Sequence, residues 1–255
     1  MKPTPQLRLL ILATIILFVT FNVSTFGATA SPSSAYYYKF TVDSDGSTKV
    51  EVSFSSTDAS GSSWVVVPKY SSWNYIVAVG SITSSENVST TDVGLEDLYF
   101  YQAFKFSYKS TSSFNMKMRF DFDYGALIID TRGIFFSPSI GYLQNGWTTG
   151  NAEVLFDSHL TVNQINAAAL GSRTYLPSET SRQRVFFNLP RNEYLLRLQV
   201  EFTTSLSAQS TTLTSQNQVF TFTSANKYVS YASNILSLFD RLYGNFTRLF
   251  NVTLT

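Results

Sequence analysis

The sequence predicts a mainly β protein: an antiparallel β-sandwich followed by one amphipathic C-terminal helix. Three observations predict it. First, Phe114 to Tyr124 alternates strictly: Phe114, Met116, Met118, Phe120, Phe122 and Tyr124 share one parity, while Asn115, Lys117, Arg119, Asp121 and Asp123 share the other. Successive strand side chains point to opposite faces, so this segment can bury one side and wet the other. Its eleven residues would span about 36 Å. Second, the chain carries 22 Phe and 15 Tyr but only 14% charged residues, with much Ser and Thr, a mixture that suits pleated, half-buried surfaces. Third, the period changes near residue 226. Tyr228, Tyr231, Ala232, Ile235, Leu238, Phe239 and Leu242 follow helical spacing, so a helix is expected over roughly Asn226 to Tyr243, ended by Gly244.

Residues 1–30 have the layout of a secretory signal peptide. Lys2 and Arg8 form a basic start, Leu9 to Phe21 is an apolar run of thirteen, and Ala28-Thr-Ala30 is a small-x-small cleavage site. The run is short of the ~20 residues a membrane span needs, so an uncleaved signal anchor is the alternative. Cleavage after Ala30 lowers Lys+Arg from 18 to 16 against 17 Asp+Glu, a net charge of −1. No basic field suits a nucleic acid. There is no cysteine, so an exported chain has no disulfide staples and depends on its core. The expectation is a secreted or cell-surface protein.

The β-domain is expected over residues 31–224. Tyr36 to Val42 and Thr48 to Phe54 flank Asp45-Gly46, a strong hairpin signal. Trp64 to Val67 and Tyr75 to Val79 are short apolar strands, closed by Pro68 and Gly80. Ser81 to Thr91 reads as an exposed loop. Leu98 to Tyr108 reads as a strand, and its short link to Phe114 predicts an antiparallel hairpin between the two. Ala126 to Ile129 and Ile134 to Phe136 flank a turn at Thr131-Arg-Gly133, and Ser137 to Gly150 is turn-rich. Ala152 to Phe156, Arg184 to Leu189, Leu196 to Phe202 and Val219 to Phe222 read as further strands. Thr161 to Gly171 fits a short helix or a strand, and Ser205 to Gln216 reads as a polar loop. The count is about ten to twelve strands. Residues 225–255 hold the helix and a terminal strand through Leu249, Val252 and Leu254, as at the start of a second domain.

Residues that could carry chemistry are few. His-Glu-x-x-His is absent; the single histidine, His159, precedes Leu-Thr-Val-Asn. Asp157-Ser158-His159 names triad residue types, but strand neighbours diverge, so a polar strand end is expected. Asp121 and Asp123 would sit about 6.6 Å apart on one face. They share it with Lys117 and Arg119, which favours a solvated surface. Asp43-Ser-Asp45-Gly46 could be a weak calcium loop but reads better as the hairpin turn. Tyr36-Tyr-Tyr38 and Tyr99-Phe-Tyr101 could offer aromatic platforms to sugars or peptides, with burial in a sheet as the plainer expectation. Asn87-Val-Ser89, Asn245-Phe-Thr247 and Asn251-Val-Thr253 are glycosylation sequons, so Asn87, Asn245 and Asn251 are candidate glycan sites. No catalytic, cofactor or metal residue is assigned.

Ser62-Ser-Trp-Val-Val-Val-Pro-Lys69, Arg132-Gly-Ile-Phe-Phe-Ser-Pro138 and Leu238-Phe-Asp-Arg-Leu-Tyr243 resemble segments of secreted, often archaeal, gluzincin-type (thermolysin-like) metallopeptidase proteins. In these an N-terminal β-domain precedes the peptidase domain, and Asn226 to Leu254 is similar to that domain's first helix and strand. The metal-binding helix has no counterpart here. The resemblance therefore implies a non-catalytic N-terminal portion whose partner would be a downstream catalytic domain. The alternative is a stand-alone binding or adhesion module for glycans or cell-envelope partners. In both readings this chain is not itself an enzyme.

Overall fold

A computed structural model describes residues 34–250, apart from 147, 207–209 and 217. The expected signal peptide with its cleavage site, Asn251, and the terminal-strand residues Val252 and Leu254 lie outside the described residues.

The strands, in chain order, are β1 (Ser34–Val42), β2 (Thr48–Ser56), β3 (Ser60–Pro68), β4 (Trp73–Val79), β5 (Ser81–Val88), β6 (Tyr101–Lys109), β7 (Phe114–Phe122), β8 (Ala126–Ile129) and β9 (Arg132–Phe136). They continue with β10 (Thr148–Phe156), β11 (Leu160–Leu170), β12 (Thr174–Tyr175), β13 (Glu179–Thr180), β14 (Arg184–Leu189), β15 (Arg197–Thr204), β16 (Ser210–Thr214) and β17 (Thr221–Ala225). One α-helix, α1 (Val229–Phe250), closes the described chain.

A seven-stranded sheet, ordered β13-β14-β10-β1-β2-β7-β4, forms one layer. β1 is its centre. The Asp45-Gly46 turn, with Gly46 at φ 85, folds β2 back antiparallel as expected, while β10 pairs with β1 in parallel from Ser34↔Thr148 to Val42↔Phe156. The opposite layer is a three-stranded sheet, β3-β6-β5, beside a five-stranded sheet, β12-β11-β15-β9-β8. The turn-rich stretch after β9 joins these two. Val66 N donates to the Gly141 carbonyl at 2.7 Å, and Ile140 exchanges backbone hydrogen bonds with Leu196. Between the layers lies an aromatic core: Phe54 meets Phe106 at 5.3 Å, and Phe40 meets Phe135 at 5.7 Å. Phe114, Met116, Met118 and Phe120 of β7 point into it, as their parity predicts.

The structure corrects four sequence expectations and resolves one left open. β6 and β7 do not pair as a hairpin. The link between them crosses from one layer to the other, and the strands meet through side chains, Tyr108 stacking on Phe114 at 4.5 Å. Ser81 to Val88, read as a loop, is edge strand β5, and part of the expected 205–216 loop is β16; both are polar and largely exposed, so no alternation announces them. The 161–171 ambiguity resolves as β11, bulged between Val162 and Ala167. Val219 to Phe222 is not a sandwich strand: Phe222 lies in β17, which among the described residues pairs with β16 alone, and this hairpin packs under α1. Finally, α1 runs through Gly244 and takes in Leu249, which the sequence reading assigned to a strand. A glycine inside a helix costs only about 1 kcal/mol, and Phe246, Leu249 and Phe250 continue the apolar spacing across it.

Candidate functional site

The most unusual surface of the described residues belongs to α1. Its apolar residues form two neighbouring stripes, each stepping alternately by four and three. Ala232, Leu236, Phe239 and Tyr243 make the first. Ala232 and Leu236 are buried, and Phe239 packs against Phe220 and Phe222 of the hairpin segment at 5.5 and 5.4 Å. Phe246 and Phe250 prolong this stripe past the hairpin. With Phe220, Leu242, Tyr243 and Thr247, they and Phe239 line an almost wholly apolar concavity of about 650 Å³. The second stripe is Tyr231, Ile235, Leu238, Leu242 and Leu249, all but Ile235 exposed.

Polar contacts fix the helix in place. The Asp240 carboxylate accepts from Gln216 N at 2.9 Å. At the other end, Lys227 pairs with Asp45 at 3.2 Å and donates to the Asp123 carbonyl at 3.1 Å, while Tyr228 lies 5.7 Å from Tyr124. Partial burial pushes the Asp45 carboxyl up, but donors from Ser47 and Lys227 outweigh it and bring it down to about 2. The Asp43-Ser-Asp45-Gly46 segment is thus the hairpin turn, with one carboxylate held by Lys227 and the other by Lys49 at 3.1 Å. No group of three or more His, Cys, Asp or Glu side chains converges among the described residues.

The other sequence candidates fall in several places. Tyr36 and Tyr38 are core residues. The Tyr36 hydroxyl sits 2.6 Å from Ser63 Oγ, and Tyr38 donates to the Gly141 carbonyl at 3.2 Å. Tyr37 lies on the outer face and donates to Glu153 at 2.5 Å. Tyr101 is buried, but Tyr99 and Phe100 are exposed at 81% and 61%, the most open aromatic pair in the sandwich. Tyr99 meets Phe100 at 5.0 Å and 89°, and Tyr70 meets Phe100 at 6.4 Å and 76°. The three rings frame a corner rather than a flat platform. Asp121 is exposed beside Lys117 and Arg119, both paired to Glu51 at 2.9 and 2.8 Å. His159 Nδ1 lies 2.8 Å from Asp157, whose carboxylate also accepts from His159 N at 2.9 Å; this is a local turn between β10 and β11. Asn87, in β5, and Asn245, in α1, are both exposed.

One polar centre escaped the sequence reading. Glu193 is buried between β14 and β15. Its carboxylate accepts from Ser172 N at 3.0 Å, from the Ser172 hydroxyl, and from the Tyr175 hydroxyl at 2.5 Å, which together hold it below the usual carboxylate range. Gly171 leaves room for it: a Cβ there would meet Glu193 Oε2 at 2.7 Å. Glu193 ties the β11–β12 turn to the loop ahead of β15.

No protein-family model and no curated protein matches the chain. Three solved structures resemble it faintly. One is described as a "putative protease" from Parabacteroides distasonis ATCC 8503, 14% identical over 69% of this chain and 41% of that one, with a TM-score of 0.31. The second is a "putative nutrient binding protein" from Legionella pneumophila, 10% identical over 67% of each chain, TM-score 0.32. The third is an aminopeptidase N family protein from Idiomarina loihiensis, 9% identical over 80% of this chain and 35% of that one, TM-score 0.31. This chain therefore spans less than half the length of the first and the third. Likenesses this slight do not carry fold or activity across.

Proposed function

We propose that this chain is an exported, non-catalytic β-sandwich module that works by contact, with the open apolar face of α1 as its contact surface. The observation that carries this reading is that face: Tyr231, Leu238, Leu242, Phe246, Leu249 and Phe250 on a helix that, among the described residues, packs chiefly on one hairpin. Contiguous apolar surface of this kind marks interaction sites. The electrostatics agree. The carboxyls of Asp45, Glu51, Glu153, Asp157 and Glu193 are all held below their ordinary values by donors. A general acid working near neutral pH needs the opposite shift. In this reading the partner is a following catalytic domain, as the peptidase resemblance implies, another protein of the cell envelope, or a second copy of this chain.

The test is an activity assay on purified residues 31–255 against quenched fluorescent peptides, with and without added zinc. No turnover above buffer is expected. Turnover that disappears in His159→Ala would overturn the reading.

The corner of Tyr70, Tyr99 and Phe100 favours a second reading, capture of a glycan, because exposed aromatic faces stack on sugar rings at little entropic cost. Glycan-array binding that is lost in Tyr99→Ala would support it; an empty array would not.

A further inference from the structure

We propose that the second stripe of α1 pairs with the same stripe of a second copy of this chain, in a parallel, two-fold related arrangement. The inference rests on reading α1 as the contact surface and goes on to name the occupant.

The spacing specifies a helix as partner. Tyr231, Ile235, Leu238, Leu242 and Leu249 occupy successive positions of a seven-residue repeat, with Asn245 at the one polar position. Apolar residues repeated in this way form the seam of a coiled coil, and a single polar position within it sets register. A helix packing on one hairpin needs only its first stripe. From Tyr231 to Leu249 the seam runs about 28 Å.

The area fits a second copy. Tyr231, Leu238, Leu242 and Leu249 of the seam, with Phe239 and Phe246 on its flank, are between 37% and 76% exposed. At roughly 200 Å² for a large side chain they leave on the order of 700 Å² open. That exceeds the 300–600 Å² patch of ordinary monomers and approaches the ~800 Å² that each partner brings to a stable interface. A two-fold axis covers two such patches at once.

The flanks select the direction. One side of the seam carries Asn234, Arg241 and Arg248; the other carries Ala232, Phe239 and Phe246. In an antiparallel pair like flanks meet, and Arg241 would face its own copy. In a parallel pair the flanks cross, so Arg241 lies beside Phe246 of the second copy, a favourable cation–ring contact, and Asn245 meets Asn245.

The experiment is sedimentation velocity on residues 31–255 made in a host without N-glycosylation, from about 1 to 100 µM, a range spanning moderate dimer affinities. The expected result is twice the chain mass, reverting to a monomer in Leu238→Glu/Leu242→Glu and unchanged in Ser237→Glu, an exposed position off the seam. Because the double variant could misfold, a second measurement uses the lack of native cysteine. Asn245→Cys should form a disulfide-linked dimer on mild oxidation, and the exposed Ser237→Cys should not. A monomer at every concentration, a dimer indifferent to the double variant, or equal cross-linking at 245 and 237 would each overturn the proposal. So would a monomeric chain that co-sediments with anionic vesicles, since a membrane would then be the occupant. These outcomes leave the contact reading standing; only turnover in the peptide assay removes that.

Discussion

Phe120 and Asp121 are neighbours in β7 with opposite surroundings. Phe120 faces the core, while Asp121 faces water on the outer side of the seven-stranded sheet. Phe120→Asp should abolish folding, because an unpaired charge in the core costs several kcal/mol against a total stability of about 5–15 kcal/mol. Asp121→Asn should shift stability by no more than about 0.5 kcal/mol. Urea melts of both variants check the pair, and a large loss in Asp121→Asn would show that the outer face does structural work. This contrast was legible in the sequence because strand parity is a local signal. Glu193 was not legible. Its partners Ser172 and Tyr175 stand 21 and 18 residues away, and a long-range polar contact leaves no period to read. Glu51 is similar: its ion pairs reach Lys117 and Arg119 only because β2 and β7 lie side by side.

At the scale of elements, apolar pattern separates what was read from what was missed. β1, β2, β7 and β15 alternate cleanly and were found. β5 and β16 are polar over most of their length, so their sequence predicts loops; backbone pairing is what holds them as edge strands. The β6–β7 pairing failed for another reason: a short link is equally able to turn within one sheet or step between two, and the choice depends on layers that sequence spacing does not contain. In α1 a local rule gave way to the helix as a whole, which passes through the expected stop at Gly244. Nothing lies within 4 Å of a Cβ built there. Gly244→Ala should therefore strengthen the helix by about 0.5–1 kcal/mol, from the backbone entropy that glycine alone carries. Circular dichroism at 222 nm should show a later loss of helix on heating; earlier loss would mean that the glycine is needed for a bend or a close approach.

For the whole molecule, a core built on tyrosine as well as phenylalanine makes stability depend on alkali. Burial pushes the phenols of Tyr36 and Tyr38 well above their ordinary value and that of Tyr142 to about 12. An unfolded tyrosine ionises near pH 10. Each of the three therefore keeps its proton in the fold after the unfolded chain has lost it. Because the folded pKa is the raised one, the stability is complete below pH 10 and is lost as pH rises beyond it. Each such group removes about 1.4 kcal/mol per pH unit, so three remove about 4. From a total of about 5–15 kcal/mol, unfolding is expected between about pH 11 and 14. Tyr38→Phe separates the two roles of one hydroxyl. At neutral pH it loses the hydrogen bond to the Gly141 carbonyl, worth about 1 kcal/mol, so it should melt slightly earlier. Above pH 10 it has no proton to lose, so its stability should fall less steeply, by about 1.4 kcal/mol per pH unit. The two curves should converge or cross in alkali. Parallel curves from pH 7 to 12, read by chemical denaturation at each pH, would mean that Tyr38 ionises in the fold as readily as in water and that the core around it admits solvent.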